Sequence, residues 1–231
     1  VEDSVPTAAQ GRRALFFAYL SITLQFIIIW NGWFLAFVAF LPVYVFLFLT
    51  LLMVVVGESE GFLKAYSSLQ WGLLLTVYSP GHLAYLLLLP PERNPNAGGA
   101  GLFLFLMMIT QLSDVTQFLF GKLFDWPVLR LKVSLTRNWA SLVGSILSMA
   151  LLSWLAAPLL TPLTSAQAVI SGVLIAGAGF IGYTTMSAIK SDLHLADRGT
   201  MTPGHGGVLN RLDSLFFTAP LFFYLVFYWH Y

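Results

Sequence analysis

The residues best placed to do chemistry stand around a glycine-rich loop, P-G-H-G-G, at residues 203–207. Glycines allow backbone N–H groups to approach a phosphate closely, as they do in anion-binding nests. Arg211 and Asp213 follow the loop, and a carboxylate there can hold Mg²⁺, which bridges phosphate oxygens. Alone this stretch is a weak signal, but together with the polar clusters described next it predicts a site for a phosphate-bearing substrate. In it, His205 acts as a base, as a donor to phosphate or as a hydrogen-bonding residue of the loop.

A second polar cluster interrupts an apolar run, I-T-Q-L-S-D-V-T-Q-F-L-F-G-K-L-F, at residues 109–124. At helical spacing, one face of this run carries four polar side chains, those of Thr110, Gln111, Asp114 and Gln117. A carboxylate at membrane depth is costly and is expected to face a polar cavity or a partner. Asp114 is therefore a candidate functional residue, and a buried structural hydrogen-bond network is the alternative.

Two further polar stretches flank the later apolar runs. Residues 186–199 read M-S-A-I-K-S-D-L-H-L-A-D-R-G, in which Ser187 and Lys190 share a helix face and Asp197 follows. The stretch after the second cluster is basic, with Lys122, Arg130, Lys132 and Arg137. Such a loop can bind lipid headgroups or a nucleotide phosphate chain, and charge that only sets membrane orientation is the alternative.

The elements that must position these residues are membrane helices. Hydrophobic residues make up 58% of the 231-residue chain and charged residues 9%, which is too apolar for a soluble core. We predict an all-α polytopic integral membrane protein, with a polar tail at 1–11 and a single membrane domain at 12–231. About seven spans are predicted, at residues 14–30, 33–56, 68–90, 99–121, 138–160, 166–190 and 214–230. Pro42 is expected to kink the second span, and Pro80 to interrupt the third.

Charge and composition narrow the function classes. If the N-terminus is cytoplasmic, ten of the eleven Lys and Arg residues fall on cytoplasmic segments, as the positive-inside rule requires. The polar clusters then share the cytoplasmic face. The absence of cysteine excludes disulfides and thiolate metal sites, and a net charge of +1 argues against a nucleic-acid partner. The chain contains no G-x-S-x-G, Walker or H-E-x-x-H motif.

Taken in order, the motifs resemble those of the CTP:phosphatidate cytidylyltransferases, the CDP-diacylglycerol synthases, in their shorter bacterial-type branch. The family signature runs S-x-x-K-R, K-D, P-G-H-G-G and D-R-x-D, where this chain has SAIKS, AD, PGHGG and NRLD. A second family motif, an Asp before a G-K pair and then S-P-x-K-T-W-E-G, corresponds to Asp114, Gly121-Lys122 and the stretch SLTRNWAS. The similarity covers nearly the whole chain after the tail.

This resemblance implies a reaction in which phosphatidate attacks the α-phosphorus of CTP, giving CDP-diacylglycerol and pyrophosphate. It assigns Asp114 and Asp213 to a Mg²⁺ site that Asp197 assists and that a second cation can join. Phosphate contacts fall to Lys122, Arg137, Lys190 and Arg211, with orientation by Ser187 and the Gly206-Gly207 backbone. His205 lines the pocket, and the remaining substrate-binding residues are Ser134, Gly204 and Asn210. The family also implies a homodimer in the bacterial inner membrane, in contact with membrane lipid, with its site facing the cytoplasm.

Four departures from the family pattern cluster at the implied site. Family charges are replaced at four positions, by Tyr183, Ser191, Ala196 and Asn210. Losing carboxylates weakens a divalent-ion site, and losing cations removes charge stabilisation near a triphosphate. The alternative is therefore a catalytically impaired pseudoenzyme of the same fold that binds an anionic lipid or a protein partner. A transferase with a different lipid acceptor or nucleotide, and a transporter that uses Asp114, are the other candidates.

Overall fold

The computed structural model describes residues 8–56, 62–95, 97–124, 138–192 and 213–231, and the regular elements within these ranges are helices. The all-α prediction is confirmed for this part of the chain. The helices form two compact units, Val1–Leu88 and Leu89–Tyr231. Helix α1 begins at Ala8, inside the predicted tail. The single membrane domain over 12–231 stays a prediction.

Four helical stretches among the described residues are long and apolar enough to cross a membrane. They are Phe34–Leu51, Gly98–Leu123, Trp139–Leu160 and Ser165–Lys190. Two further apolar helical stretches, Tyr19–Trp30 and Leu215–His230, are shorter. The helices thus have the length and composition of a membrane protein. The count of seven spans and the cytoplasmic N-terminus stay predictions.

Five α-helices and two π-helical segments lie in the described part of the first unit. The α-helices are α1 (Ala8–Trp30), α2 (Phe34–Ala39), α3 (Phe46–Val56), α4 (Phe62–Leu73) and α5 (Ser79–Leu87). The π-helical segments are Phe40–Val45, between α2 and α3, and Leu74–Tyr78, between α4 and α5. Gly32 makes the turn between α1 and α2 with φ of 68°, a value that glycine adopts without strain.

Proline explains the first π-helical segment. Pro42 has no N–H group, so the carbonyl of Val38 loses its helical donor. The Tyr78 hydroxyl donates to that carbonyl at 3.3 Å, and Gln70 Nε2 donates to the carbonyl of Leu41 at 3.0 Å. The predicted kink at Pro42 is therefore a π-helical segment whose carbonyls bond to side chains of neighbouring helices. The interruption predicted at Pro80 is also a π-helical segment, after which the helix continues through Leu87.

In the second unit, four long helices among the described residues form an up-and-down bundle. They are α6 (Gly98–Leu123), α7 (Trp139–Leu160), α8 (Ser165–Asp192) and α9 (Leu215–His230), preceded by a 3₁₀ turn at Pro91–Arg93. Helix α8 packs against the other three helices. At the two ends of the bundle, α8 contacts α9 through Lys190 with Asp213 and through Gln167 with His230. These two helices are therefore antiparallel.

Small residues bring α7 and α8 close together. A Cβ atom on Gly172 would collide with the carbonyl oxygen of Met149 and with the Ser153 hydroxyl. Gly172 thus allows a close contact between the two helices. Ser141 and Ser145 on α7 are also small and buried, and both make hydrogen bonds to polar partners.

Candidate functional site

An ion pair joins the end of α8 to the start of α9. Lys190 Nζ donates to Asp213 Oδ2 at 2.6 Å, and the side chain of Asp213 is only 2% exposed. A carboxylate buried in an apolar helix bundle needs a partner, because burial removes its hydration. Lys190 lies in the last turn of α8, so its long side chain can reach Asp213 and still remain 19% exposed. The pair places one cation and one anion at this end of the bundle.

A second carboxylate joins the same region from α6. The Ser214 hydroxyl donates to Asp114 Oδ1 at 2.7 Å, across 100 residues of sequence. Ser214 is almost fully buried, whereas Asp114 is partly exposed. Since Ser214 directly follows Asp213, consecutive residues connect the carboxylate from α6 with the lysine from α8. Asp114, Lys190 and Asp213, which the sequence analysis selected separately, therefore belong to one cluster.

A glycine on α8 sets how closely α9 approaches. A Cβ atom on Gly182 would lie 2.9 Å from Phe217 Cδ2 and 3.1 Å from the backbone oxygen of Asp213. One helical turn earlier, a Cβ atom on Gly179 would lie 3.7 Å from Ser214 Cβ, which is ordinary contact. Gly182 thus allows the backbone of Asp213 to lie directly against α8, within reach of Lys190.

Hydroxyl and amide groups continue from this cluster into the bundle. Thr110 Oγ1 and Thr218 Oγ1 lie 3.1 Å apart, linking α6 to α9. Ser113 Oγ and Ser145 Oγ lie 3.0 Å apart, and Gln117 Nε2 donates to Ser113 Oγ at 2.9 Å. All five side chains are fully buried. The polar face predicted on α6 therefore contacts protein, and it carries both a structural hydrogen-bond network and the site carboxylate Asp114.

Asn138 makes hydrogen bonds both to the start of α7 and to the end of α6. Its Oδ1 accepts from the N–H of Ser141 at 2.8 Å and so caps α7. Its Nδ2 donates to the carbonyls of Gly121 at 3.2 Å and Phe124 at 3.0 Å, which belong to the end of α6. One buried amide thus joins the end of α6 to the start of α7.

The donor set at this site suits a hard divalent cation. Oxygen atoms, above all those of carboxylates, are the ligands that Mg²⁺ prefers, and Asp114 and Asp213 supply carboxylates here. When ionised, the two carboxylates and the Lys190 ammonium together carry a formal charge of −1, which favours a cation. Within the described residues no group of three His, Cys, Asp or Glu side chains could hold a metal ion. Asp114 and Asp213 are the described carboxylates at this end of the bundle that could serve as ligands of such a cation.

The other predicted residues fall into two groups. Ser187 is half-buried on α8, three residues before Lys190, and Lys122 is exposed in the last turn of α6. Lys122 lies about 12 Å along the helix axis from Asp114. The remaining predicted site residues lie outside the described residues: Ser134, Arg137, Asp197, Gly204, His205, Gly206, Gly207, Asn210 and Arg211.

Sequence reasoning missed Ser214 and Asn138. Ser214 follows Asp213 directly, but a serine beside an apolar run carries no signal of its own, because a helix cap explains it equally well. Asn138 offered a clearer signal, since Asn with Ser three residues later resembles a helix-capping pair. Neither residue's contact across helices can be read from local sequence.

Comparison with known proteins identifies the family to which this chain belongs. The model of the cytidylyltransferase family matches residues 4–229. The chain belongs to the cytidylyltransferase family. Within the family it is 41% identical to an uncharacterized protein of Escherichia coli K12, YnbB, over 90% of this chain and 69% of that protein. The resemblance drawn from the motifs is thereby confirmed.

Curated phosphatidate cytidylyltransferases are also similar. The enzyme of Synechocystis sp. PCC 6803 is 33% identical over 51% of this chain, and the match covers 34% of that enzyme. The enzyme of Rickettsia felis is 27% identical over 76% of this chain and 80% of its own length. The chain thus spans about a third of one of these enzymes and most of the other.

Proposed function

We propose that this protein transfers the cytidylyl group of CTP to phosphatidate, giving CDP-diacylglycerol and pyrophosphate. The observation that carries the proposal is the cluster of Asp114, Lys190, Asp213 and Ser214 at one end of a bundle of apolar helices. Such a cluster can serve a lipid substrate held in the membrane together with a nucleotide from the aqueous phase. Membership of the cytidylyltransferase family, and phosphatidate cytidylyltransferases among its relatives, support this reaction.

In this reaction a phosphate oxygen of phosphatidate forms a bond to the α-phosphorus of CTP. The bond from that phosphorus to the bridging oxygen of the β-phosphate breaks, and pyrophosphate leaves. A phosphate monoester is already anionic near neutral pH, so the attack needs no dedicated general base. Catalysis then depends on positioning and on neutralising charge.

The described residues have distinct parts in this proposal. Asp114 and Asp213 would hold Mg²⁺, which when bound would supply positive charge against the phosphates. Lys190 pairs with Asp213 and contacts a phosphate, and Ser187 lies one turn before it on α8. Lys122, exposed at the end of α6, meets the nucleotide phosphates as they approach. A second cation, Asp197, Arg137, Arg211 and the Gly204–Gly207 loop complete the site in the same proposal.

The setting proposed for the reaction is the bacterial inner membrane, with the site at the cytoplasmic face. Four helices long and apolar enough to cross a membrane, together with bacterial relatives, support this setting. Arg12, Arg13 and the basic stretch at 122–137 would then lie on the cytoplasmic side. A homodimer in contact with membrane lipid is part of the proposal.

The deciding experiment follows conversion of radiolabelled CTP with phosphatidate and Mg²⁺ in mixed micelles. We expect Mg²⁺-dependent CDP-diacylglycerol from the native chain and a loss of roughly 100-fold or more in Asp114→Asn. Glu92→Gln is the matched control, because it makes the same carboxylate-to-amide change at an exposed position before α6. Equal activity in Asp114→Asn and Glu92→Gln would remove Asp114 from the site.

Asn210→Asp separates the proposed enzyme from a pseudoenzyme. This variant restores the carboxylate that the family has at position 210. Product from the native chain supports the proposed function. Product from Asn210→Asp alone, or from neither folded protein, would instead identify a degenerate relative that holds an anionic lipid or a protein partner.

A further inference from the structure

We propose that Ser214 is a positioning residue that holds the Asp114 carboxylate in place for a divalent cation. The inference rests on the proposed function, because it concerns the cation of the same site. Ser214 would not react itself. It would fix the orientation of a carboxylate that comes from a different helix, α6.

The first support is the geometry of the hydrogen bond. Ser214 Oγ donates to Asp114 Oδ1 at 2.7 Å, a short distance typical of a hydroxyl bound to a carboxylate. Ser214 is 2% exposed, so bulk water competes little for this hydrogen bond. Asp114 is partly exposed, in contrast to the buried Ser214. The serine thus constrains one carboxylate oxygen of a residue that is not fully enclosed by protein.

The second support is that the Ser214 hydroxyl has no capping role. Ser214 occupies the position before the first residue of α9, where serine commonly accepts a hydrogen bond from the helix backbone. Its side chain makes no such bond, and its backbone is helical, with φ of −71° and ψ of −35°. Stabilising the start of α9 therefore does not explain the hydroxyl, whereas orienting Asp114 does.

The third support is that another contact already holds α6 against α9. Thr110 Oγ1 and Thr218 Oγ1 form a buried hydrogen bond one turn further into the bundle. That bond joins the same two helices but touches no carboxylate. If the Ser214 hydroxyl served only to hold the two helices together, loss of either hydroxyl contact would have the same effect on cation binding. The proposal requires that only the Ser214 contact affects cation binding.

Loss of a hydrogen bond to a metal-binding side chain typically lowers metal affinity by roughly 10-fold to 100-fold. Removing the Ser214 hydroxyl should remove one restraint on the orientation of the Asp114 carboxylate, and cation binding would then have to supply that order. We expect about a tenfold loss of affinity in Ser214→Ala. Ser214→Thr keeps the hydroxyl, and the residue facing it on α8, Gly179, has no side chain to obstruct the added methyl group.

The test measures binding of Mn²⁺, a paramagnetic substitute for Mg²⁺, to the purified full chain in detergent by electron paramagnetic resonance. The proteins are the native chain, Ser214→Ala, Ser214→Thr and the matched control Thr218→Val. Support requires weaker binding in Ser214→Ala alone, with the other two variants within about threefold of the native chain. Thermal unfolding of each variant, measured in parallel, establishes that the proteins compared are folded.

Three results would overturn the proposal. The first is native affinity in Ser214→Ala, and the second is an equal loss in Thr218→Val, which would assign the effect to helix packing. The third is absence of Mn²⁺ binding by the native chain. Failure of the proposed reaction can be told apart from failure of the positioning role. If Mn²⁺ binding depends on Ser214 but the chain does not turn over CTP, the positioning role stands and the proposed reaction fails.

Discussion

Replacing Lys190 with Met should destabilise the bundle by a measurable amount. Unit charges 2.6 Å apart attract each other by about 6 kcal/mol at an effective dielectric constant of about 20. Desolvation of both groups offsets part of this attraction, and Lys190 retains 19% exposure. We therefore expect Lys190→Met to lower the free energy of unfolding by about 3 kcal/mol, the low end of the range for breaking a buried ion pair.

The assay is thermal unfolding in detergent, followed by far-ultraviolet circular dichroism. A loss of about 3 kcal/mol corresponds to a fall in Tm of roughly 6–12 °C for a chain of this size. Lys122→Met is the matched control, because Lys122 is exposed on α6, and its Tm should change little. The double variant Lys190→Met with Asp213→Leu should lose less than Lys190→Met alone, since it leaves no buried charge unpaired.

Two results would refute the reasoning about this ion pair. Lys190→Met could lose no more stability than Lys122→Met, which would mean that the ammonium contributes nothing to the fold. Alternatively, the losses in Lys190→Met and Asp213→Leu could add fully in the double variant, which would show that the two side chains are not coupled. Asp213→Leu is measured by itself to complete this cycle.

Three further predictions concern contacts around the site and in the first unit. Gly182→Ala should lower the free energy of unfolding by about 1–3 kcal/mol, because the new Cβ atom is forced against the backbone of Asp213. Gly179→Ala should leave the stability unchanged or raise it. Equal unfolding temperatures of the two variants would contradict this. Asn138→Asp should lower the free energy of unfolding by at least about 2 kcal/mol, because an oxygen would replace the Nδ2 group that donates to two carbonyls. Asn138→Ser keeps a side chain that can cap α7, so thermal unfolding should show a smaller loss of stability. Tyr78→Phe should cost about 1 kcal/mol through the carbonyl left without its donor, and an unchanged Tm would exclude that contact.

The sequence was sufficient to predict the helices and the family. Apolar runs of roughly 20 residues indicate helices, because a backbone in lipid must satisfy its own hydrogen bonds. The runs predicted at 99–121, 138–160 and 166–190 agree with α6, α7 and α8 to within a few residues. The prolines also indicated where helices would deviate. That each deviation is a π-helical segment depends on side chains of neighbouring helices, such as Tyr78, which local sequence does not reveal.

For the site, the sequence determined which residues could do chemistry, and the tertiary structure determined which of them meet. Asp114, Lys190 and Asp213 stand out because charged side chains are rare in apolar runs. Their partners come from other helices, so only the packing of α6, α8 and α9 decides them. The pairing of Lys190 with Asp213, and the hydrogen bond from Ser214 to Asp114, depend on this packing. A hydrogen bond across 100 residues exists only once the helices are assembled, because its geometry tolerates little displacement.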